Sequence, residues 1–112
     1  MFEIRCYHYL PEKFEAYKKW AIDEAVPFLK ENLDVVGFWT DNGLAPEITG
    51  EDPQEHKHGV ANITWIIKWK SELDRDHGMK EVLGGSVWKD IWSRHPDSKG
   101  YLQMEARFAE EL

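Results

Sequence analysis

The sequence predicts an α+β fold of the ferredoxin-like βαββαβ kind, a four-stranded antiparallel sheet with its helices on one face. Three observations predict it: four segments in which residue character alternates, helical periodicity in the stretches between them, and the order in which these follow one another. A chain of 112 residues, 42% hydrophobic and 31% charged, is the ordinary size and composition of one folded domain, so a single domain over 1–112 is expected.

The first strand is Phe2-Glu-Ile-Arg-Cys-Tyr-His-Tyr9, with Phe2, Ile4 and Cys6 on one face and Glu3, Arg5, Tyr7 and Tyr9 on the other. Pro11 suits a helix start, and Phe14, Tyr17, Ala21, Ala25 and Phe28 recur at helical spacing, so residues 12 to 31 form one amphipathic helix that Pro27 kinks or ends. Residues 34 to 40, Asp-Val-Val-Gly-Phe-Trp-Thr, make a second strand closed by the turn signal Asp41-Asn42-Gly43. Residues 44 to 59 have no apolar period, and so long a loop inside a compact domain suggests a lid or flap.

The third strand covers 60 to 70, with Ile63, Trp65, Ile67 and Trp69 on one face and Asn62, Thr64, Ile66 and Lys68 on the other. Ser71-x-x-Asp74 resembles a capping box and starts a second helix that runs to Gly84-Gly85. A shorter helix begins at Ser86, carries Trp88, Ile91 and Trp92, and ends before Pro96. The last strand, Tyr101 to Phe108, sets Leu102, Met104, Ala106 and Phe108 against Tyr101, Gln103, Glu105 and Arg107.

The apolar strand faces are expected to meet the helices. The opposite face would then carry Tyr7, Tyr9, Ile66 and Tyr101, with Phe38 a further candidate, among Glu3, Arg5, Gln103, Glu105 and Arg107. That face is too aromatic to face water alone and too charged for a dry core. A second copy packed against it explains the mixture, so a symmetric homodimer is expected, with Arg5, Tyr7, Glu105 and Arg107 on the dimer face and Arg5 paired with Glu105.

The net charge of −7 repels a phosphate backbone and argues against nucleic acid. No apolar run approaches a membrane span, and Phe2-Glu-Ile-Arg5 lacks the features of an export signal, so a cytoplasmic protein with no membrane partner is expected. Cys6 stands alone and reads as a small buried strand residue.

Several of these segments resemble one family. Phe2-Glu3-Ile4-Arg5-x-Tyr7, the helix ending in Pro27, Val36-Gly37-Phe38-Trp39-Thr40, Ile66-Ile67-x-Trp69, Leu73-Asp74-Arg75 and Trp88-x-x-Ile91 together resemble the NIPSNAP family over nearly the whole chain. The resemblance implies a dimeric α+β barrel, with ligands held between the sheet and the helices of each subunit. It implies little about chemistry, because the wider superfamily includes cofactor-free monooxygenases, isomerases, dehydratases and haem-degrading enzymes. Residues 44 to 59 are an insertion relative to the family. The segment Val87 to Trp92 also lacks the axial histidine of the haem-degrading relatives and leaves only His95 nearby, so no haem is expected.

Trp65 and Trp69 share a strand face, and Trp88 and Trp92, four apart, share a helix face. Each indole on its own is core filling, but four converging between sheet and helices leave gaps and need partners for their N–H groups. Together with Trp39 they are the candidate walls of a slot for a flat aromatic or hydrophobic ligand. His8, on the face of Cys6, is either a core histidine bonded to a neighbour or an acid/base group looking into that slot. His77 is expected on a solvated helix face, and His56 and His58 in the loop lack a third ligand, so no metal is expected. Asn62 and Thr64 are expected to satisfy hydrogen bonds at the dimer interface.

There is no glycine-rich phosphate loop, no Gly-x-Ser-x-Gly elbow and no Cys/His cluster, and no cofactor is expected. The residues and the resemblance together point to a homodimer that binds a small hydrophobic or aromatic metabolite between sheet and helices. Two alternatives stay open. One is a cofactor-independent monooxygenase or isomerase using His8, with Trp65, Trp69 and Trp92 shaping its pocket; the other is a protein-interaction scaffold.

Overall fold

The computed structural model describes all 112 residues. The strands are β1 (Phe2–Tyr9), β2 (Val35–Thr40), β3 (Ile63–Lys68) and β4 (Tyr101–Ala109). They form one antiparallel sheet in the order β2-β3-β1-β4, the ferredoxin-like arrangement expected from the element order. Helices α1 (Phe14–Trp20) and α2 (Val26–Asn32) connect β1 to β2, and α3 (Glu72–Leu83) and α4 (Ser86–Ser93) connect β3 to β4. No helix is long and apolar enough to cross a membrane.

Pro27 does not end the first helical segment. It sits in the first turn of α2, and the preceding residues Ala21–Ala25 form a π-helical turn in which the Val26 N–H reaches back to the Ala21 carbonyl. Proline has no N–H for the carbonyl four residues back and its ring crowds it, so a wider turn just before it lets the helix run on to Asn32. The capping prediction at Ser71 holds, its hydroxyl accepting the Asp74 N–H at 3.1 Å.

The core lies between the sheet and the helices. Ile63, Trp65 and Ile67 of β3 pack there with Tyr17, Trp20, Ala21, Ala25, Leu29 and Ile91. Ile63 and Ile67 are wholly buried, each worth about 1.5–3 kcal/mol of hydrophobic stabilisation.

The expected face of β1 is reversed. Residues directly opposite each other share a face, and Glu3, Arg5 and Tyr7 lie opposite Ile67, Trp65 and Ile63. Glu3, Arg5, Tyr7 and Tyr9 therefore face the helices, while Phe2, Ile4, Cys6 and His8 lie on the outer sheet face. Arg5 pairs with Glu3 on its own strand, not with Glu105, and only Glu105 and Arg107 of the expected dimer-face residues are on the outer side.

Two irregularities redirect aromatic residues. In β4 the register slips so that His8 faces Gln103 but Tyr9 faces Tyr101, which turns Tyr101 to the helix side. A slip in β2 between Val35 and Gly37 puts Phe38 opposite Trp65, also facing the helices, and turns Trp39 outward opposite Thr64. Trp39 is 49% exposed and its indole lies across Gly37, where a Cβ would stand 2.2 Å from the ring. Only glycine admits that contact.

Candidate aromatic cavity and its arginine

A cavity of about 400 Å³ lies between sheet and helices, lined by 14 residues of which 12 are hydrophobic. Every layer of the fold contributes to it. The first helical segment supplies Tyr17, Trp20, Ala25 and Leu29, and the second supplies Leu83, Trp88, Lys89 and Trp92. From the sheet come Arg5, Tyr7, Phe38, Trp65, Tyr101 and Met104.

The aromatic walls brace one another. Phe38 stacks on Trp65 at 5.5 Å and Phe28 on Trp88 at 5.8 Å, while the rings of Trp92 and Tyr101 are nearly parallel at 6.2 Å. Trp20 meets Trp92 edge-on at 5.8 Å and donates its indole N–H to the Ile91 carbonyl at 3.0 Å, tying α1 to α4. Such pairs hold the walls apart as well as together, because each ring is locked by a neighbour before any ligand arrives.

A polar network runs along the helix-facing side of β1, beside the cavity. Glu3 is completely buried, and its carboxylate accepts from Arg5 Nη1 at 2.6 Å, from Arg75 Nε and Nη2 at 3.0 and 3.3 Å, and from the Trp69 indole at 3.0 Å. Burial alone would push its pKa up, but the hydrogen bonds and charges of Arg75 and Arg5 outweigh this and hold the carboxyl below its ordinary value. The Tyr7 hydroxyl accepts from Arg5 Nε at 2.5 Å and from the Trp65 indole at 2.9 Å. Desolvation raises the Tyr7 pKa despite both donors, so the phenol stays protonated. Burial likewise raises Tyr17 and Tyr101. For Arg5, burial opposes the charge, while Tyr7 and Glu3 more than compensate and keep the guanidinium ionised.

Of the candidate pocket residues, Trp65, Trp88 and Trp92 line this cavity and Trp69 and Trp39 do not. Trp69 turns to Glu3 and packs on α3 at Gly78, where a Cβ would stand 2.6 Å from its ring. His8 lies on the opposite side of the sheet. Its ring stacks on His56 of the long loop at 4.2 Å, and its Nε2 contacts the Gly59 carbonyl at 3.1 Å, so that nitrogen carries the proton. Nδ1 of His8 is the one buried side-chain nitrogen or oxygen with no partner. His56 also bonds Gln103 at 2.8 Å, which pins the loop over the outer face. No group of three or more His, Cys, Asp or Glu side chains is arranged to hold a metal ion. Asn62 pairs twice with the Tyr9 backbone, at 2.9 Å each, extending the sheet by a side chain, and His77 is exposed on α3.

His95 follows α4 and packs against Trp20 at 4.4 Å and Trp92 at 4.6 Å. Its Nδ1 accepts the Asp97 N–H at 3.0 Å, which leaves Nε2 to donate to the Tyr101 hydroxyl at 2.7 Å. With both nitrogens engaged it has no lone pair for a haem iron, and burial lowers its pKa to about 4.

The sequence pattern missed Trp20, Tyr101, Arg5 and Tyr7 as cavity residues. Trp20 carried a usable signal, since it falls three residues after Tyr17 on the same helical stripe.

No protein-family model and no curated protein matches the chain. Solved structures do share its fold. An uncharacterised NIPSNAP domain protein from Burkholderia xenovorans superposes with a TM-score of 0.72 at 14% identity, over 99% of this chain and 93% of that one. A NIPSNAP family protein from Agrobacterium tumefaciens gives 0.71 at 16% identity, over 95% and 80% of the two chains. Another from the same organism, described as of unknown function, gives 0.67 at 21% identity over 95% and 82%. The resemblance carried by Glu3-x-Arg5-x-Tyr7 and Gly37-x-Trp39 thus extends to three dimensions, and the chain has the fold of the NIPSNAP proteins.

Proposed function

We propose that this chain binds a small aromatic or hydrophobic molecule in the cavity between its sheet and its helices, and that it does so as a homodimer paired through the outer sheet face. The observation that carries the binding role is the cavity itself, at about 400 Å³ and with 12 hydrophobic residues among its 14. That size and lining fit a small-molecule site better than a packing defect. The dimer is supported by Phe2, Ile4, Cys6 and Ile66, which lie on the outer sheet face and are only half-buried.

Binding is favoured over acid/base catalysis because none of the lining residues is a histidine or a carboxylate. Its phenols are held protonated by burial. His8, the expected acid/base group, is separated from the cavity by the sheet.

Native mass spectrometry of freshly purified protein, followed by denaturation, tests both parts. The expected result is a dimer carrying one small molecule per chain that is released on unfolding. A monomer would remove the shared-sheet arrangement. A dimer with no adduct, whose melting temperature no member of an aromatic compound set shifts, would remove the binding role.

A further inference from the structure

We propose that the molecule bound in this cavity is an acid: an aromatic or hydrophobic carboxylate whose negative group meets Arg5 and Tyr7. The inference rests on the cavity being a small-molecule site and names the ligand's class.

The first support is a contrast of charge. The chain carries a net −7, yet the two lining residues that are not hydrophobic, Arg5 and Lys89, are both basic. With 21 acidic residues to 14 basic ones, carboxylates are the more expected polar lining. Glu3 and Tyr7 hold Arg5 ionised in that apolar wall, so an entering ligand meets a fixed cation.

The second support is how the network beside the cavity shares its carboxylates. One carboxylate, Glu3, is shared between two guanidiniums, Arg5 and Arg75. Arg75 reaches a further carboxylate, Asp76, at 3.3 Å, whereas the only carboxylate paired with Arg5 is Glu3. The cluster is neutral as a whole, but its second carboxylate, Asp76, is exposed on the Arg75 side, so Arg5 at the cavity wall has only a share of Glu3. A ligand carboxylate would give Arg5 a second anionic acceptor.

The third support is the donors left over. Arg5 uses Nε on Tyr7 and Nη1 on Glu3, and its Nη2 has no partner in the protein. Since His8 Nδ1 is the one buried side-chain polar atom without a partner, Arg5 Nη2 opens onto reachable space. The Tyr7 hydroxyl already accepts from two donors, so its proton is the part left to give. A guanidinium N–H and a phenolic O–H on neighbouring same-face positions of β1 can each serve one oxygen of a carboxylate, with the ring system lying among Trp65, Trp92 and Tyr101. Lys89, exposed on α4 beside the cavity, adds attraction for the same charge.

Isothermal titration with naphthalene-2-carboxylate and with its neutral isostere naphthalene-2-carboxamide tests the inference. The acid is expected to bind the wild-type protein roughly ten- to a hundredfold more tightly, the range for charge-assisted hydrogen bonds in a partly dry site. Arg5→Gln is expected to bring the ratio close to one, and Lys89→Gln, on the surface and harmless to folding, to lower it by roughly two- to threefold. Trp92→Ala is expected to weaken acid and amide alike. Equal affinity of the wild type for acid and amide would overturn the acid preference while leaving the cavity a binding site. Failure of both compounds to bind, with no adduct in the native mass spectrum, would overturn the binding role itself.

Discussion

The two faces of the sheet handle polar groups in opposite ways. On the helix side, the wholly buried Glu3 is met by four donor atoms from Arg5, Arg75 and Trp69. On the outer side His8 is almost as buried, yet its Nδ1 has no partner and the ring is held by one bond to the Gly59 carbonyl and by stacking on His56. A satisfied buried network fixes geometry, because each member has one arrangement that leaves nothing unpaired. A half-satisfied one ties its loop down through fewer contacts, here the His8 to Gly59 and His56 to Gln103 bonds. The helix side is built to hold a shape, and the outer side to accommodate a surface.

That difference predicts the largest effect at Glu3. Glu3→Gln keeps the volume but removes the charge shared by Arg5 and Arg75, and breaking a buried ion pair on one side costs about 3–5 kcal/mol. Urea unfolding is expected to show a loss of that order. A change below about 1 kcal/mol, the range of an exposed ion pair, would mean the network is dispensable and the two faces are equivalent in this respect.

Acid separates the contributions further. The folded pKa of His95 is about 4, below its ordinary 6.5, so between these values the unfolded chain binds the extra proton and stability falls as pH falls. Above pH 6.5 the full contribution is present. The Glu3 carboxyl is also lowered, so its contribution is present above its ordinary 4.5 and is lost on further acidification through the lower folded value. Stability is expected to decline in two stages, the first centred on His95, which packs against the cavity residues Trp20 and Trp92, and the second on Glu3. In His95→Phe, stability measured between pH 6.5 and 4 should no longer show the first stage. Its persistence would assign that stage to other groups.

The order of elements was legible because it depends on periodicity, which local sequence carries directly. The direction of β1 was not. Phe2, Ile4 and Cys6 are the more hydrophobic set, and a charged Glu3 beside Arg5 looks like a solvent face. What reverses it is Arg75, 72 positions away, which helps neutralise Glu3 in the interior. No local pattern announces that partner. Tyr101 and Phe38 were misplaced for a different reason: a single slipped residue in β4 and another in β2 exchange the faces of the side chains beyond them. Aromatic residues were visible as a group, but which of them meet around the cavity depends on those two slips.

The smallest expected effect tests the outer face. His8→Ala removes the stack on His56 and the bond to the Gly59 carbonyl together with an unpartnered buried nitrogen, so the losses are offset by relief of that nitrogen and global stability should move by less than about 1 kcal/mol. The affinity for naphthalene-2-carboxylate should not change, since the sheet lies between His8 and the cavity. What should change is the loop. Without its anchor on His8, residues 44 to 59 keep only the His56 to Gln103 bond to the sheet, and limited proteolysis within the loop is expected to speed up severalfold. A fall in ligand affinity in this variant would show that the loop and the cavity act together. The division between a shape-holding face and an accommodating one would then have to be replaced by a single site that spans the sheet.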